Sequence, residues 1–306
     1  MRVVSLLPSA TEMLFAIGAG NEVAGVTFEC DYPAEARERP QVVFSRMPEG
    51  LTPAEIDDLV RTTGAEGKSL YFADFELLER LRPELIVLQD LCHVCAIDSP
   101  TLARDLSRLP SRPRVISLNA SSLEGVFGEI ALLGEATAHV EEAVRLVDGL
   151  RERVRRVRKG VVAAARRPRV LCLEWLDPLF QGGHWVPEMV GIAGGEAVLA
   201  TPAEKSVRVT WEQVAEAQPE VVVVMPCGYH LADTVAQFRE IERGYPQVWR
   251  ELPAVRQGRV YAVDGSAYFS RPGPRLVDGV EILQAIVSGR GWEQLPPESV
   301  GRLCRQ

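Results

Sequence analysis

The sequence lacks the features that would place it among nucleic-acid-binding or membrane-spanning proteins. Its 34 lysine and arginine residues are outnumbered by 42 aspartate and glutamate residues, which gives a net charge of −8. Nucleic-acid-binding domains usually carry a basic surface instead. No apolar run approaches the roughly 20 residues that cross a bilayer. We therefore expect a protein that binds no nucleic acid and does not span the membrane. We also expect it to be a monomer.

A secretory leader is also missing from the sequence as written. A leader has a basic segment, an apolar segment and a cleavage site ahead of the fold. Here the buried-strand pattern Arg2-Val-Val-Ser-Leu-Leu-Pro8 begins at once. We therefore expect a cytoplasmic protein. If translation starts upstream, the expectation changes to a periplasmic or cell-surface protein.

Catalytic motifs are absent as well. The chain has no G-x-S-x-G, no H-E-x-x-H and no P-loop, and no G-x-G-x-x-G follows its first strand. These motifs serve acyl transfer, metal-dependent hydrolysis, phosphate binding and dinucleotide binding. We therefore expect a binding protein and not an enzyme.

Strand-like apolar runs alternate with helical patterns along the whole chain, which is typical of parallel α/β sheets. Ser9-Ala-Thr-Glu12 has the form of a capping box and predicts a helix from Met13 to about Ile17. The other predicted helices are 53–62 (in an insertion at 44–68), 74–81, 99–109, 185–192, 210–217, 231–239 and 276–286. The predicted strands are 3–7, 23–26, 85–88, 115–118, 170–173, 221–225 and 260–263.

The two halves of the chain repeat one pattern. Residues 82–89 (RPELIVLQ) and 218–225 (QPEVVVVM) each combine a helix end, a proline, a glutamate and a buried strand, and a loop with cysteine follows. Between the halves, apolar residues at three- and four-residue spacing predict one long helix over 135–159. We therefore predict two Rossmann-like α/β lobes with central parallel sheets, 1–133 and 167–306, joined by a linking helix within 134–166.

This organisation resembles the periplasmic solute-binding proteins of ABC importers for cobalamin, haem and iron–siderophores, and it is most similar to the cobalamin-binding proteins. The resemblance implies two lobes joined by one helical backbone, with a cobalamin-like corrinoid or another metal chelate bound in the cleft between them. It also implies ABC permease subunits as partners in vitamin transport. The segments that carry it are 2–12 (RVVSLLPSATE), 31–33 (DYP), 81–86 (LRPELI), 175–178 (WLDP) and 269–275 (FSRPGPR).

The binding residues that the resemblance implies are mainly aromatic, because flat rings offer a large contact area at a low entropic cost. For Phe28 and Phe269, packing in the core is an equal alternative. The family's two permease-docking glutamates correspond to Glu76 and Glu212, although the helix dipole also favours carboxylates at helix starts. The implied binding residues are Phe28, Glu29, Tyr71, Gln89, Trp175, Trp185, Tyr268, Phe269 and Arg271.

His184 is a further candidate from its local sequence. It follows Gly182 and Gly183, which let the backbone approach a ligand closely. A neutral imidazole there can bind a metal, and an ordinary turn at a helix start is the alternative.

Four cysteines lie in predicted loops at the strand ends: Cys30, Cys92, Cys95 and Cys227. A structural zinc site needs four ligands, and these thiolates, or three of them with His93, can supply them. Such a site would hold zinc or an iron–sulfur cluster, or one thiolate would bind the metal of the ligand. Packing of the thiols in turns is the alternative. The second functional hypothesis is therefore a cytoplasmic metalloprotein or enzyme with a cysteine-ligated site in the cleft.

Overall fold

The computed structural model describes residues 1–89, 106, 109–161 and 166–303, and it confirms the predicted α/β fold. The chain divides into two compact units. The first unit contains Met1–Ala120 and Glu124–Asp148, and the second contains Ser121–Leu123 and Gly149–Gln306. In the part of the chain that is described, no helix is long and apolar enough to cross a bilayer.

The first unit is built on a mainly parallel sheet. Its strands are β1 (Val3–Ser5), β2 (Val23–Thr27), β3 (Gln41–Ser45), β4 (Tyr71–Ala73), β5 (Leu85–Gln89) and β6 (Arg114–Leu118). They lie in the order β4-β3-β2-β1-β5-β6, and only β3 and β4 pair antiparallel. The strand β1 is buried throughout, as expected for a parallel strand covered on both faces. Because the strand order reverses at β1, its carboxyl end lies where open α/β sheets bind ligands.

The predicted capping box at the start of the first helix is wrong. The helix begins at Pro8, with Leu7 as its N-cap, and no side chain caps it. Proline is favoured at the first helical position because its missing N–H has no partner there in any case. Glu12 lies inside the helix, only 3% exposed. Among the described residues, the helices of this unit are α1 (Pro8–Ala16), α2 (Pro53–Ala65), α3 (Phe75–Leu81), α4 (Leu123–Ala136) and the first part of α5 (Val140–Gly160), with 3₁₀ turns at Ala19–Glu22 and Ala34–Glu38. Most of the predicted helix 99–109 lies outside the described residues.

The long helix begins later than the sequence predicts. A break separates α4 from α5, and Ala138 lies there in the left-handed region, with φ of 59°. The apolar spacing continues across this break, so periodicity alone could not reveal it. The boundary between the two units falls inside α5, after Asp148.

The second unit contains a sheet with a parallel centre and antiparallel edges. Its strands are β7 (Arg169–Leu176), β8 (Leu179–Gln181), β9 (Glu196–Ala197), β10 (Val207–Arg208), β11 (Val221–Val224), β12 (Val260–Val263) and β13 (Val300–Arg302). The order is β10-β8-β7-β11-β12-β13, with β9 beside β7. The strands β7, β11 and β12 are parallel neighbours. Their carboxyl ends therefore meet at one edge of the sheet.

Helices flank this second sheet. They are α6 (Val186–Ile192), α7 (Trp211–Ala217), α8 (Leu231–Ile241), α9 (Gln247–Glu251), α10 (Pro253–Arg256), α11 (Gly265–Tyr268) and α12 (Leu276–Ser288), with 3₁₀ turns at Glu242–Gly244 and Trp292–Gln294. Arg153 of α5 bonds to carboxylates on α12, donating from Nη2 to Asp278 and to Glu281 Oε2 at 2.7 Å. These charge-assisted bonds attach the second half of α5 to its own unit.

The pattern that the sequence repeats is also a structural repeat. The helices α3 and α7 each have seven residues, and each is capped by a side chain, Asp74 in one and Thr210 in the other. Both end at a left-handed residue, with φ of 48° at Arg82 and 45° at Gln218. A proline, a glutamate and a buried strand follow in both units. Positions within these two segments can therefore be compared one to one.

Candidate ligand-binding site

In the first unit, an aromatic pair lies at the carboxyl ends of the strands. Phe28 follows the last residue of β2, and Tyr71 pairs with Ser45 at the end of β3. The two rings are stacked, with centroids 6.1 Å apart and an interplanar angle of 25°. Phe28 is 37% exposed, so its ring is not a core residue. The pair presents aromatic surface where open sheets bind ligands.

Two polar residues predicted for the site lie at the same edge. Glu29 follows Phe28, and its backbone N–H donates to Thr27 Oγ1 at 3.2 Å. Gln89 is the last residue of β5 and is half-buried. The structure therefore brings four of the predicted binding residues to one edge of the first sheet.

Cys30 lies below this edge in the interior. Its thiol is 4% exposed and lies 3.1 Å from Thr11 Oγ1 and 3.3 Å from Thr27 Oγ1. Hydroxyl groups at these distances satisfy a buried thiol without a metal. Cys92, His93 and Cys95 lie outside the described residues. Over residues 1–89, 106, 109–161 and 166–303, no group of three or more His, Cys, Asp or Glu side chains is placed to hold a metal ion.

Cys172 lies in the core of the second unit. It is 6% exposed in β7, and burial raises the pKa of its thiol to about 12. A thiol in this condition stays protonated at neutral pH and is therefore a poor nucleophile.

In the second unit, an aromatic pair again lies at the carboxyl ends of the parallel strands. Trp175 is near the end of β7, and its ring lies 5.7 Å from that of Tyr229, tilted by 56°. Tyr229 belongs to the turn after β11, in which Gly228 has φ of 79°. Burial raises the pKa of Tyr229, so its hydroxyl stays neutral. Sequence reasoning missed Tyr229, although the repeated cysteine-bearing loop indicated its position.

The turn before α6 is held by a close backbone approach at Gly183. A Cβ added there would lie 2.3 Å from the backbone nitrogen of Ser206, so only glycine fits. Ser206 Oγ accepts a hydrogen bond from Gly183 N at 3.1 Å and donates one to Glu174 Oε2 at 2.7 Å. The close backbone approach at Gly183 is made to the protein's own chain. The predicted approach of a ligand to these glycines stays a prediction.

His184 is held in a left-handed conformation by the same neighbouring segment. Its φ is 53°. Its N–H donates to Glu204 O at 2.5 Å, and its carbonyl accepts from Ala203 N at 2.8 Å. The ring lies 5.5 Å from that of Trp185. Burial, assisted by the charge of Lys205, lowers the pKa of His184, which keeps the imidazole neutral at pH 7.

This lowered pKa predicts a pH dependence of stability. Because the unfolded chain takes up the proton at a higher pH than the folded chain, the free energy of unfolding falls as the pH drops below about 6.5. His184→Asn removes the titration and keeps a residue that tolerates the left-handed region. We expect the variant to lose less stability than the wild type between pH 7.5 and 5.5, measured by urea unfolding. Equal losses in the two proteins would contradict the assignment.

The remaining predicted residues of this unit lie on or near α11. Trp185 is 6% and Phe269 3% exposed, and Trp185 Nε1 donates to Phe269 O at 2.7 Å. Both side chains therefore lie in the interior of the unit. Tyr268 is half-buried, with the guanidinium of Arg275 5.9 Å from its ring centroid. Arg271 is half-buried as well.

The two glutamates predicted to dock on a permease occupy equivalent positions of the structural repeat. Glu76 is the second residue of α3, and Glu212 is the second residue of α7. Both are exposed. Hydrogen bonds, first from the Thr210 hydroxyl and then from its own backbone N–H, lower the pKa of Glu212. A negative charge therefore stands at the same point of each unit.

Comparisons with known proteins agree with this architecture. The chain is 23% identical over 288 residues to an uncharacterized ABC transporter substrate-binding lipoprotein, YvrC, of Bacillus subtilis, covering 92% of this chain and 78% of the relative. It is 25% identical over 289 residues to a vitamin B12-binding protein of Vibrio cholerae, covering 92% of this chain and 86% of the relative.

A solved periplasmic heme-binding protein from Pseudomonas aeruginosa has the same fold. The TM-score is 0.70 at 21% identity, covering 94% of this chain and 92% of that one. The sequence model of the periplasmic binding protein family, Peripla_BP_2, matches residues 3–267, which is most of the chain. The chain therefore belongs to the periplasmic binding protein family.

Proposed function

We propose that the chain is the substrate-binding component of an ABC importer and that it carries a metal chelate with a flat macrocycle. We call this transported molecule the cargo. A corrinoid such as cobalamin is our first expectation and haem the second, because the Vibrio cholerae relative is named for binding vitamin B12 and the Pseudomonas aeruginosa structure for binding heme. Iron–siderophores, which the family resemblance also implies, are the third class of cargo to test.

The aromatic pairs at the strand ends carry this proposal. Phe28 with Tyr71 in one unit and Trp175 with Tyr229 in the other present ring surface at the edge where α/β sheets bind ligands. Such rings suit a flat, largely apolar macrocycle, because they give contact area without losing many rotamers. Glu29 and Gln89 add polar groups beside one of the pairs. These can fix the orientation of a cargo that has amide or carboxylate groups at its periphery.

A spectroscopic titration tests this function. Hydroxocobalamin, haemin and a ferric hydroxamate are added separately to the full chain, and the visible absorbance of each chelate is followed. We expect saturable binding of one macrocycle with a stoichiometry of one. A chain that binds only the hydroxamate would move the assignment to siderophores, and a chain that binds none of the three would contradict it.

The proposed function also favours a location outside the cytoplasmic membrane. An importer receives its cargo on the outer face, so we propose the periplasm or the cell surface and not the cytoplasm. The lipoprotein relative supports this proposal. Cell fractionation with an antibody against the chain tests it. Recovery in the cytoplasmic fraction would contradict it.

Glu76 and Glu212 are proposed to bind arginines of the permease. Their equivalent positions and exposure support this role, because a two-unit protein can then contact two permease subunits in the same way. The double variant Glu76→Lys, Glu212→Lys replaces two negative charges with two positive ones. Each lysine would then repel the permease arginine that the glutamate is proposed to bind. We expect the double variant to keep its cargo affinity and to lose at least about tenfold in affinity for the reconstituted transporter.

A matched control for docking is charge reversal at two exposed glutamates elsewhere, Glu141→Lys in the first unit and Glu293→Lys in the second. This double control changes the net charge by the same amount without touching either repeat. Transporter binding is measured by surface plasmon resonance against permease in nanodiscs. A loss of equal size in the control would show a general charge effect and would contradict the docking role.

A further inference from the structure

An arginine just before β1 fixes the end of α3 in the first unit. Arg2 donates from its backbone N–H to Glu84 Oε2 at 2.8 Å and from Nε to Arg82 O at 2.8 Å. The backbone N–H of Glu84 donates to Arg2 O at 2.9 Å. These three bonds attach the left-handed residue that ends α3, Arg82, to the start of the first strand.

The second unit repeats these three bonds at the end of α7. Arg169, at the start of β7, donates from its backbone N–H to Glu220 Oε2 at 3.0 Å and from Nε to Gln218 O at 2.9 Å. The backbone N–H of Glu220 donates to Arg169 O at 2.8 Å. The helices α3 and α7 are therefore attached to their own sheets by the same contacts. A difference between their exposed residues is a difference in chemistry on equivalent backbones.

The helix face that carries the docking glutamate differs in charge between the two units. Residues four positions apart lie on the same face of a helix. Arg80 therefore shares the face of Glu76 on α3, and Glu216 shares the face of Glu212 on α7. All four side chains are exposed. The equivalent positions 80 and 216 thus carry charges of opposite sign beside the two docking glutamates.

In the first unit, this face lines an open cavity of about 790 Å³. The cavity combines both signs of charge around one apolar residue. Its lining residues are Arg2, Glu76, Glu79, Arg80, Leu81 and Arg82. A basic and an acidic side chain of a partner protein can therefore enter it together, and each of them meets an opposite charge.

In the second unit, the same face is acidic. Glu216 follows Glu212 by four residues, and the neutral Gln218 stands where the first unit has an arginine. Like charges at this spacing destabilise a helix, so the stability of α7 does not explain the second glutamate. Over the described residues, neither Arg80 nor Glu216 has an ion-pair partner. Both charges are therefore open to a partner protein.

We propose that the two permease surfaces that bind this chain differ in chemistry, one with a carboxylate opposite Arg80 and the other with a basic group opposite Glu216. This inference rests on the proposed docking role of Glu76 and Glu212. Two identical subunits would present the same side chain to positions 80 and 216, and a charge attracted by Arg80 would be repelled by Glu216. Two different subunits, or two different halves of one permease chain, remove this conflict and fix the orientation of docking.

Two charge reversals in the full chain test this inference, Arg80→Glu and Glu216→Arg. Their affinity for the permease in nanodiscs is measured by surface plasmon resonance, and their affinity for hydroxocobalamin and haemin by the absorbance titration. We expect each variant to lose about tenfold in affinity for the permease and to bind the chelates as the wild type does. The matched controls are Arg243→Glu and Glu293→Arg, which reverse the same charges at exposed positions outside the repeat. They should bind the permease as the wild type does.

The signs of the two effects distinguish different permease surfaces from identical ones. With identical surfaces, one reversal gives both units the attracted charge and raises the affinity, and the other gives both units the repelled charge and lowers it. Opposite effects would therefore overturn the inference. A loss in only one variant, a loss in neither, or equal losses in the controls would overturn it as well.

The docking role and this inference can fail separately. If the double variant Glu76→Lys, Glu212→Lys loses affinity for the permease but the reversals at positions 80 and 216 do not both lower it, the inference is wrong and the docking role stands. If the double variant binds the permease as the wild type does, both are wrong. Cargo binding is measured without the permease, so its outcome is independent of both.

Discussion

Replacing Trp175 with alanine is expected to lower the affinity for the cargo about 100-fold. Tryptophan and tyrosine rings in direct contact with a ligand are the side chains whose truncation costs most binding energy. Trp175 also supports Tyr229, from which its ring is 5.7 Å away, so its loss removes one ring and loosens another. The titration that defines the cargo measures the effect directly.

Two matched variants make this result specific. Tyr71→Ala should lower the affinity by about tenfold, because Phe28 remains as the other half of its pair. Trp292→Ala removes a tryptophan that packs against Tyr261 in the same unit as Trp175, away from the strand ends. It should leave the affinity unchanged. Equal affinity in the Trp175→Ala variant and the wild type would show that the cargo does not contact this edge.

Placing alanine at Gly265 is expected to destabilise the second unit by about 2–3 kcal/mol. The added methyl would lie 2.4 Å from Pro226 O and 2.9 Å from the carbonyl carbon of Met225. These are backbone atoms next to a buried strand, so they cannot move away as a flexible side chain would. The free energy of unfolding, measured by denaturant titration, reports the cost.

Gly149→Ala is the matched control for this change. Gly149 lies inside α5 with no atom within 4 Å of an added Cβ. Alanine in an open helical position should raise the free energy of unfolding by about 0.5–1 kcal/mol. Opposite signs for the two glycines would support the packing described here. A Gly265→Ala variant as stable as the wild type would contradict it.

The core of the fold could be predicted from the sequence, because buried parallel strands have continuous apolar sequences. Val260–Val263 was predicted with its observed ends, and the repeated proline–glutamate–strand pattern corresponds to equivalent segments of the two units. Strands at the sheet edges, such as Tyr71–Ala73 and Val207–Arg208, were missed, and so were their neighbours Gln41–Ser45 and Leu179–Gln181. Runs of two or three residues, or of three apolar residues between polar ones, do not stand out from loops. The capping box failed because the helix already starts at Pro8, so that Ser9 lies inside its first turn and not at its N-cap.

The candidate site was predictable only in part, because it depends on contacts between distant segments. Aromatic residues at strand ends could be selected, and Phe28 and Tyr71 do stack. No sequence spacing could show that Trp185 turns its indole N–H to Phe269 O, or that His230 meets Asp264, 34 residues away. The thiol of Cys30 contacts the hydroxyl groups of Thr11 and Thr27, which lie 19 and 3 positions earlier in the sequence. Its role as a metal ligand with Cys92, Cys95 and Cys227 stays a prediction.

Native mass spectrometry of the full chain tests directly whether the chain binds one macrocyclic metal chelate. The protein is mixed with equimolar hydroxocobalamin, haemin, a ferric hydroxamate and zinc chloride, and the masses of intact complexes are read. We expect one complex, consisting of the chain with a single macrocyclic metal chelate. A spectrum that shows only zinc bound to the chain, or only the free chain, would contradict it.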